Sequence, residues 1–338
     1  MTGAGRQALV ALVGGETLLG REVRDVFHTA QLAAKLKLIG AADEAAGTLT
    51  EQEGEPVVVS ALDEEHLLGA GVAILAGTPE SSRKAFGLLA RRSPRPAVID
   101  LSGALETIPE ARLRAPMVEP RGFCAGTGDL HIIAHPAAVA LTLLLRRVPA
   151  RRSVVQVLVP ASEQGQRGVA ELQQQVIRLF SFQPLPKEVF DAQVAFNLRI
   201  RYGAEAPCKL ETAEECIGRH LGALLAHYPR SARPSFRLLQ APVFHGYGFS
   251  IWLELEQAQD PLEFAAGLAS PGVEVRTADQ EAPDNVGVAG DSGVIVGAVE
   301  RDGNDSQALW LWAVADNLRL TAVNAVTVAR QVLEARAQ

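Results

Sequence analysis

Covalent chemistry on a small carbonyl substrate needs a nucleophile, a base and something to hold charge, and few residues of this chain qualify. The stretch His131-Ile-Ile-Ala-His135-Pro136-Ala137-Ala138 reads as a short buried strand, a sharp turn, and the start of a helix that stays apolar nearly all round to Leu145. The backbone N–H groups that open a helix are unpaired and carry partial positive charge. A thiol at that opening would ionise readily and could attack a bound carbonyl carbon. What stands there is Ala137 and Ala138, which have no reactive group.

The other candidates each have a second, plainer reading. His131 and His135 could share a proton across the turn, or each could simply be hydrogen-bonded beside a buried strand. Cys124, in Gly122-Phe-Cys-Ala-Gly126, could supply a displaced thiol or be a small apolar residue. Cys208 and Cys216 flank or lie in a helical stretch with no histidine at a reactive spacing, which points to packing. His245 and Tyr247 stand two apart on one strand face and could line a pocket. Trp310 and Trp312 share a strand face in the manner of interface or core aromatics. The cluster Arg146-Arg147 with Arg151-Arg152 reads as a solvated loop or as a contact for an acidic partner.

These residues need a scaffold, and the first half of the chain supplies a recognisable one. Gln7 to Val13 is a continuous apolar strand, Gly14 to Gly20 a glycine-bearing turn, and Arg21 to about Ala34 an amphipathic helix. Strand, glycine turn and helix form the context in which a dinucleotide fingerprint is credible. Gly14 and Gly20 fall at matching positions. Thr17 stands where a glycine would let the backbone approach a pyrophosphate, so the turn reads either as a nucleotide site or as a tight βα connection. A second strand, Leu36 to Gly40, leads to Asp43 and Glu44, placed to accept from ribose hydroxyls or to form a solvated acidic loop. Val57–Leu62, Val72–Gly77 and Pro96–Asp100 are further short apolar strands with helical segments between most of them. Such a series builds a parallel, doubly wound, Rossmann-like sheet, with Gly77-Thr-Pro79 on its ligand-binding edge.

Beyond His131 the pattern changes. Ser153–Pro160, Ser235–Val243, Gly248–Glu256, Val294–Glu300 and Leu309–Asn317 read as strands or strand and turn; Ala170–Phe180 and Leu210–His227 read as helices. Together they give an α+β domain with a mostly antiparallel sheet and long strands suited to a dimer interface. The closing helix, Leu318–Ala337, could return to the first domain. The expected division is 1–132 with 316–338, and 133–315. At 338 residues the chain exceeds the ~250–300 at which single cores stop growing, and 48% hydrophobic residues suffice for two cores. A net charge of −7 argues against nucleic acid or anionic membranes as partners. Three cysteines are too few and too scattered for a disulfide framework or a metal site. No apolar run approaches the ~20 residues of a membrane span, and the amino terminus lacks a signal-peptide pattern, so a cytoplasmic protein is expected.

Several pieces of the sequence resemble the aspartate-semialdehyde dehydrogenase family: Val13-Gly14 to Gly20-Arg-Glu-Val23, Val98-Ile-Asp100, Ala195-Phe-Asn197, Ala241-Pro-Val-Phe244, and Val314-Ala-Asp-Asn-Leu-Arg319 followed by Asn324-Ala-Val326. The resemblance runs over nearly the full length and implies an amino-terminal nucleotide domain, a dimerisation domain and a homodimer. It implies Gly14, Thr17, Leu18, Gly20, Gly77 and Asn317 as the residues that would meet NAD or NADP. It also implies a reaction in which a cysteine attacks the aldehyde, hydride leaves to NADP, and phosphate cleaves the thioester.

At the positions that carry this reaction the likeness stops. The family's cysteine falls on Ala138, its glutamine near Val159, its substrate-gripping arginine on Gln240, its histidine on Tyr247, and a phosphate-holding arginine near Glu106. Removing the nucleophile from an assembled site costs on the order of 10⁶ in rate, or roughly 8 kcal/mol. A tyrosine with pKa near 10 is a poor base at neutral pH. The chain therefore most resembles the degenerate Usg-type branch of that family, with no catalytic residue of its own at these positions and with nucleotide binding weak or absent. Three roles follow: a homodimer that binds an unidentified small ligand or another protein, an oxidoreductase that works through other residues, or a pairing subunit for an active relative.

Overall fold

The computed structural model describes residues 8–41, 46–52, 54–120 and 130–337. The expectations for Asp43 and Cys124 fall outside them. Two compact units are present, residues 1–134 with 321–338, and residues 135–320.

The first unit is built from β1 (Ala8–Val13), α1 (Leu18–Thr29), β2 (Ala34–Ile39), β3 (Leu49–Gln52), β4 (Glu55–Val58), β5 (Val72–Leu75), α2 (Pro79–Leu89), β6 (Ala97–Asp100), β7 (Arg112–Arg114) and β8 (Leu130–Ile133). Six strands form one sheet in the order β2-β1-β5-β6-β8-β7, parallel throughout. Alternation along β1 sends Val10 and Leu12 to one face and Ala11 and Val13 to the other. The first pair joins Val23, Val26 and Phe27 of α1 and Ala322, Ala325 and Val326 of the closing helix. The second pair joins Ala85 and Leu89 of α2. Both faces are therefore covered, and the doubly wound reading holds.

Two local expectations are corrected. The first helix stops at Thr29 rather than near Ala34, because Gln31 takes a left-handed φ of 49° and Ala34 already opens β2. The apolar run Val57–Leu62 is not a strand of the parallel sheet. Gly54, at φ 81°, turns the chain so that β4 folds back on β3 as an antiparallel hairpin, and only Ser60 reaches β2, through a single bridge to Ile39.

The second unit contains α3 (Pro136–Leu145), β9 (Ala150–Val159), a 3₁₀ turn (Ala161–Gln164), α4 (Gly165–Phe180), α5 (Leu210–Leu225), β10 (Ser235–Gln240), β11 (Tyr247–Leu255), α6 (Pro261–Leu268), β12 (Val273–Val275), β13 (Val294–Arg301) and β14 (Ala308–Ala315). The closing helix, α7 (Asn317–Ala337), begins here. The sheet order is β10-β9-β11-β14-β13-β12. Its three central pairings are antiparallel and its two outer ones parallel. Every residue of α3 from Ala137 to Leu145 is buried, as its all-round apolar sequence requires, and α3 packs against α5. No helix among the described residues is long and apolar enough to cross a membrane.

Candidate functional site

In the second unit the polar side chains converge on the opening of α3. Pro136 occupies the first turn, where a missing N–H does no harm. His135 is the N-cap, and its Nδ1 accepts the N–H of Ala137 at 3.3 Å. That bond leaves the imidazole proton for Nε2, which lies 2.9 Å from Glu163 Oε1. The other carboxylate oxygen of Glu163 accepts the Tyr247 hydroxyl at 2.5 Å. His135 N–H in turn donates to Nδ1 of His220 on α5, at 2.9 Å. One connected network thus joins α5, the cap of α3, the 3₁₀ turn after β9, and the first residue of β11.

Burial and charge set the protonation of this network. Burial disfavours an ionised Glu163, but the adjoining His135 ring and the hydrogen bonds from His135 and Tyr247 outweigh it, and the carboxyl is held below its ordinary value. Tyr247, fully buried, is pushed well above the normal phenol range, first by burial and then by the negative charge of Glu163. At neutral pH it is a hydrogen-bond donor and cannot serve as a base.

The remaining sequence-predicted positions are packed or engaged. Ala138 is completely buried, one turn into α3. Val159 is buried at the end of β9. Gln240 is also completely buried; its amide donates to Val159 O at 3.0 Å and Ala241 O at 2.8 Å, and its carbonyl accepts from Tyr202 at 2.7 Å. Tyr202 is shifted upward by burial and by the Glu163 charge. Where an arginine would project toward a carboxylate, an amide is closed onto its own backbone. Glu106 lies half-buried in the turn after β6.

The histidine and cysteine expectations come out differently. His131 lies against Arg114, whereas the partner of His135 is Glu163. His245 is not on the strand with Tyr247, because Gly246 at φ 79° breaks the chain just before β11. Cys216 does have a histidine nearby: its Sγ is 4.0 Å from Nδ1 and 3.8 Å from Nε2 of His220. The i,i+4 spacing on α5 was a usable signal for that pair. Near-equal distances put the sulfur beside the ring rather than in line with one nitrogen. Cys208 is exposed. Trp310 and Trp312 hydrogen-bond within the second unit, to Asp302 and Pro283.

In the first unit the glycine turn keeps its shape for reasons of packing. A Cβ on Gly20 would lie 1.9 Å from Gly14 O, one on Gly14 2.6 Å from Gly77 N, and one on Gly77 2.4 Å from Ser81 Oγ. Gly14 also has φ 85°, which favours glycine. Thr17 caps α1, accepting Gly20 N–H at 2.9 Å, and its hydroxyl lies 2.9 Å from the carbonyls of Gly14 and Ala76. That hydroxyl faces the protein and is not offered to a phosphate. Leu18 is the first, half-buried residue of α1. Beside it Glu16 forms ion pairs with Arg21, at 3.2 Å, and Arg24. The turn therefore fits a pyrophosphate poorly: a carboxylate stands at the loop and engages its two nearby cations. In the second unit, Asn317 is buried and its side-chain oxygen accepts from Ser162 Oγ at 3.2 Å and Gly246 N at 3.3 Å.

Comparison with known proteins gives a consistent neighbourhood. A family profile described as semialdehyde dehydrogenase, dimerisation domain, matches residues 141–320. A USG-1 protein homolog of Pseudomonas aeruginosa is 30% identical over 344 aligned residues, covering 96% of this chain and 97% of that protein. An aspartate-semialdehyde dehydrogenase of Aquifex aeolicus is 25% identical, covering 96% and 98%. The solved structure of a probable aspartate-semialdehyde dehydrogenase from Pseudomonas aeruginosa superimposes with a TM-score of 0.80 at 27% identity, covering 97% and 99% of the two chains.

Proposed function

We propose that this chain, which belongs to the semialdehyde dehydrogenase family, no longer carries out the semialdehyde reaction and acts as a homodimeric paralogue that binds a ligand or another protein. The observation that carries this reading is the hydrogen-bonded network of His135, Glu163, Tyr247 and His220 at the opening of α3, with an alanine at position 138. A thioester route needs a nucleophile at the helix opening, a base beside it and a cation for the substrate carboxylate. At the positions aligned with those groups stand a methyl group, a phenol that donates to Glu163, and an amide bonded to Val159, Ala241 and Tyr202.

Glu163 supports the same reading. Its ionised carboxylate stands beside the capping residue of α3, where a helix opening would otherwise favour an anionic ligand. A substrate carboxylate arriving there would meet like charge. The loop at Glu16 repeats the arrangement, and nucleotide binding is expected to be weak or absent.

The test is turnover. With aspartate semialdehyde, NADP and phosphate, the purified chain is expected to form NADPH no faster than the protein-free blank. A phosphate-dependent rate above blank overturns the proposal. One observation favours a second reading, an oxidoreductase acting through other residues: the His135–Glu163 pair could move a proton. That reading requires a nucleotide, and calorimetry with NAD and NADP at millimolar concentration decides it; absence of binding heat removes it.

A further inference from the structure

The first unit carries an open slot at the β2 edge of its parallel sheet, a cavity of about 1120 Å³ between β2 and β4. The two segments meet at one rung: Ser60 N–H donates to Leu38 O at 3.1 Å, and Ser60 O accepts Gly40 N–H at 2.9 Å. Toward the start of β2 the ladder stops, because β4 is committed to its hairpin with β3. The next rung would join Val58 to Leu36 and Leu38. Instead both strand edges face the cavity.

Alternation fixes which backbone groups line the slot. Ile39 O accepts Gly14 N–H, so Lys35, Lys37 and Ile39 bond toward β1, and Leu36 and Leu38 turn their peptide groups outward. Val59 N–H donates to Thr48 O, so Val57 and Val59 bond toward β3, and Pro56 and Val58 turn theirs toward β2. Among the described residues no hydrogen bond reaches the N–H and C=O of Leu36, the N–H of Leu38 or the N–H and C=O of Val58. Two facing rows of unused donors and acceptors are a template for an added strand. The edge from Ala34 to Leu38 spans roughly 16 Å at ~3.3 Å per residue, room for about five residues of a guest.

The side chains around the slot specify the guest further. On one face Leu36 and Leu38 are buried with Phe27, and Val57 packs against the same cluster. On the other face stand Lys35, which is exposed, and Lys37, whose Nζ donates to His66 O at 2.6 Å. Glu55, on the hairpin, is the one acidic group among the described lining residues. Lysines on an open edge repel a second edge that bears lysine, a copy of this one included, and accept one that bears acid. We infer that the slot is a docking site for an extended segment of another protein, added as a strand beside β2, in which apolar and acidic residues alternate. The inference rests on the reading of this chain as a binding paralogue and gives that reading a partner of stated chemistry. Main-chain bonds to Leu36, Leu38 and Val58 supply the affinity. Alternate side chains, over Leu36 and Phe27 on one face and beside the lysines on the other, supply the selectivity.

The probe is a fluorescein-labelled hexapeptide in which valine alternates with glutamate, titrated with the full chain by fluorescence anisotropy. It is expected to bind with a dissociation constant on the order of 10–100 µM, and the matching valine–lysine peptide at least ~10-fold more weakly. Lys35→Glu/Lys37→Glu is expected to reverse that preference. If the double variant loses its circular dichroism spectrum, Lys35→Glu alone, changed at an exposed position, is expected to narrow it. Hydrogen exchange over Ala34–Ile39, read by mass spectrometry, places the peptide. The amides of Leu36 and Leu38 are expected to exchange fast in the free chain and to slow when the valine–glutamate peptide is bound. No binding by roughly 1 mM, equal binding of the two peptides, or binding that leaves this exchange unchanged overturns the assignment and leaves the loss-of-reaction reading intact. Slow exchange of both amides in the free chain also overturns it, because the slot would then be filled by the chain itself. Turnover of semialdehyde would overturn the loss-of-reaction reading and leave this slot untouched.

Discussion

The openings of α1 and α3 follow one plan and differ in what their residues are needed for. Each helix is capped by a side chain that satisfies its own N–H groups, Thr17 in one and His135 in the other. Each has a glutamate close by, Glu16 held by two arginines and Glu163 held by a histidine and a tyrosine. At α1, however, the family-like glycines are demanded by the backbone, because any Cβ at Gly14, Gly20 or Gly77 would meet atoms too close to tolerate. At α3 nothing in the backbone demands a cysteine, and a buried alanine fits. Residues fixed by packing would therefore persist in a fold that had lost its chemistry, as the proposal holds for this one. A glycine pattern reports a tight turn before it reports a nucleotide.

The comparison breaks most visibly at Gly20. Gly20→Ala is expected to destabilise the first unit by about 3 kcal/mol or more, since its methyl would overlap Gly14 O. Urea unfolding checks this. A glycine kept for a ligand would instead leave the unfolding midpoint unchanged and lower nucleotide affinity. At the other opening, Tyr247→Phe removes a donor and leaves Glu163 less satisfied, with an expected loss of about 1–3 kcal/mol. No change in midpoint would mean that the network is not closed.

Acid sharpens the contrast further. The fold holds the Glu163 carboxyl below its usual value of 4.5. Its contribution is therefore complete above that unfolded value and disappears as pH falls through the lower, folded one. The stability difference between wild type and Glu163→Gln is expected to narrow on acidification below 4.5, measured by urea unfolding across pH. A difference that widens would contradict the ionised carboxylate. The smallest effect is Thr17→Ala, which removes a cap and should lower stability by about 1 kcal/mol.

The parallel sheet is legible in the sequence because β1, β5 and β6 are apolar runs separated by glycine and helix signals, and strands buried on both faces read that way. The β3–β4 hairpin is not, because the apolar run at Val57–Leu62 looks like another buried strand, and only the left-handed Gly54 reverses it. At the site, Ala138, Gln240 and Tyr247 are legible as departures from a family pattern. Glu163, Tyr202 and His220 are not, since folding brings them together across separations of 28 to 85 residues. No local periodicity encodes such a meeting. His220 alone had a local clue, four residues after Cys216.

Intact-protein mass spectrometry after incubation with aspartate semialdehyde and NADP, with phosphate omitted, tests the central claim most directly. Without phosphate a thioester has no second substrate to release it, so a working thiol would accumulate the acyl adduct. The account predicts an unchanged mass. An aspartyl adduct mapping to Cys124, Cys208 or Cys216 would contradict it.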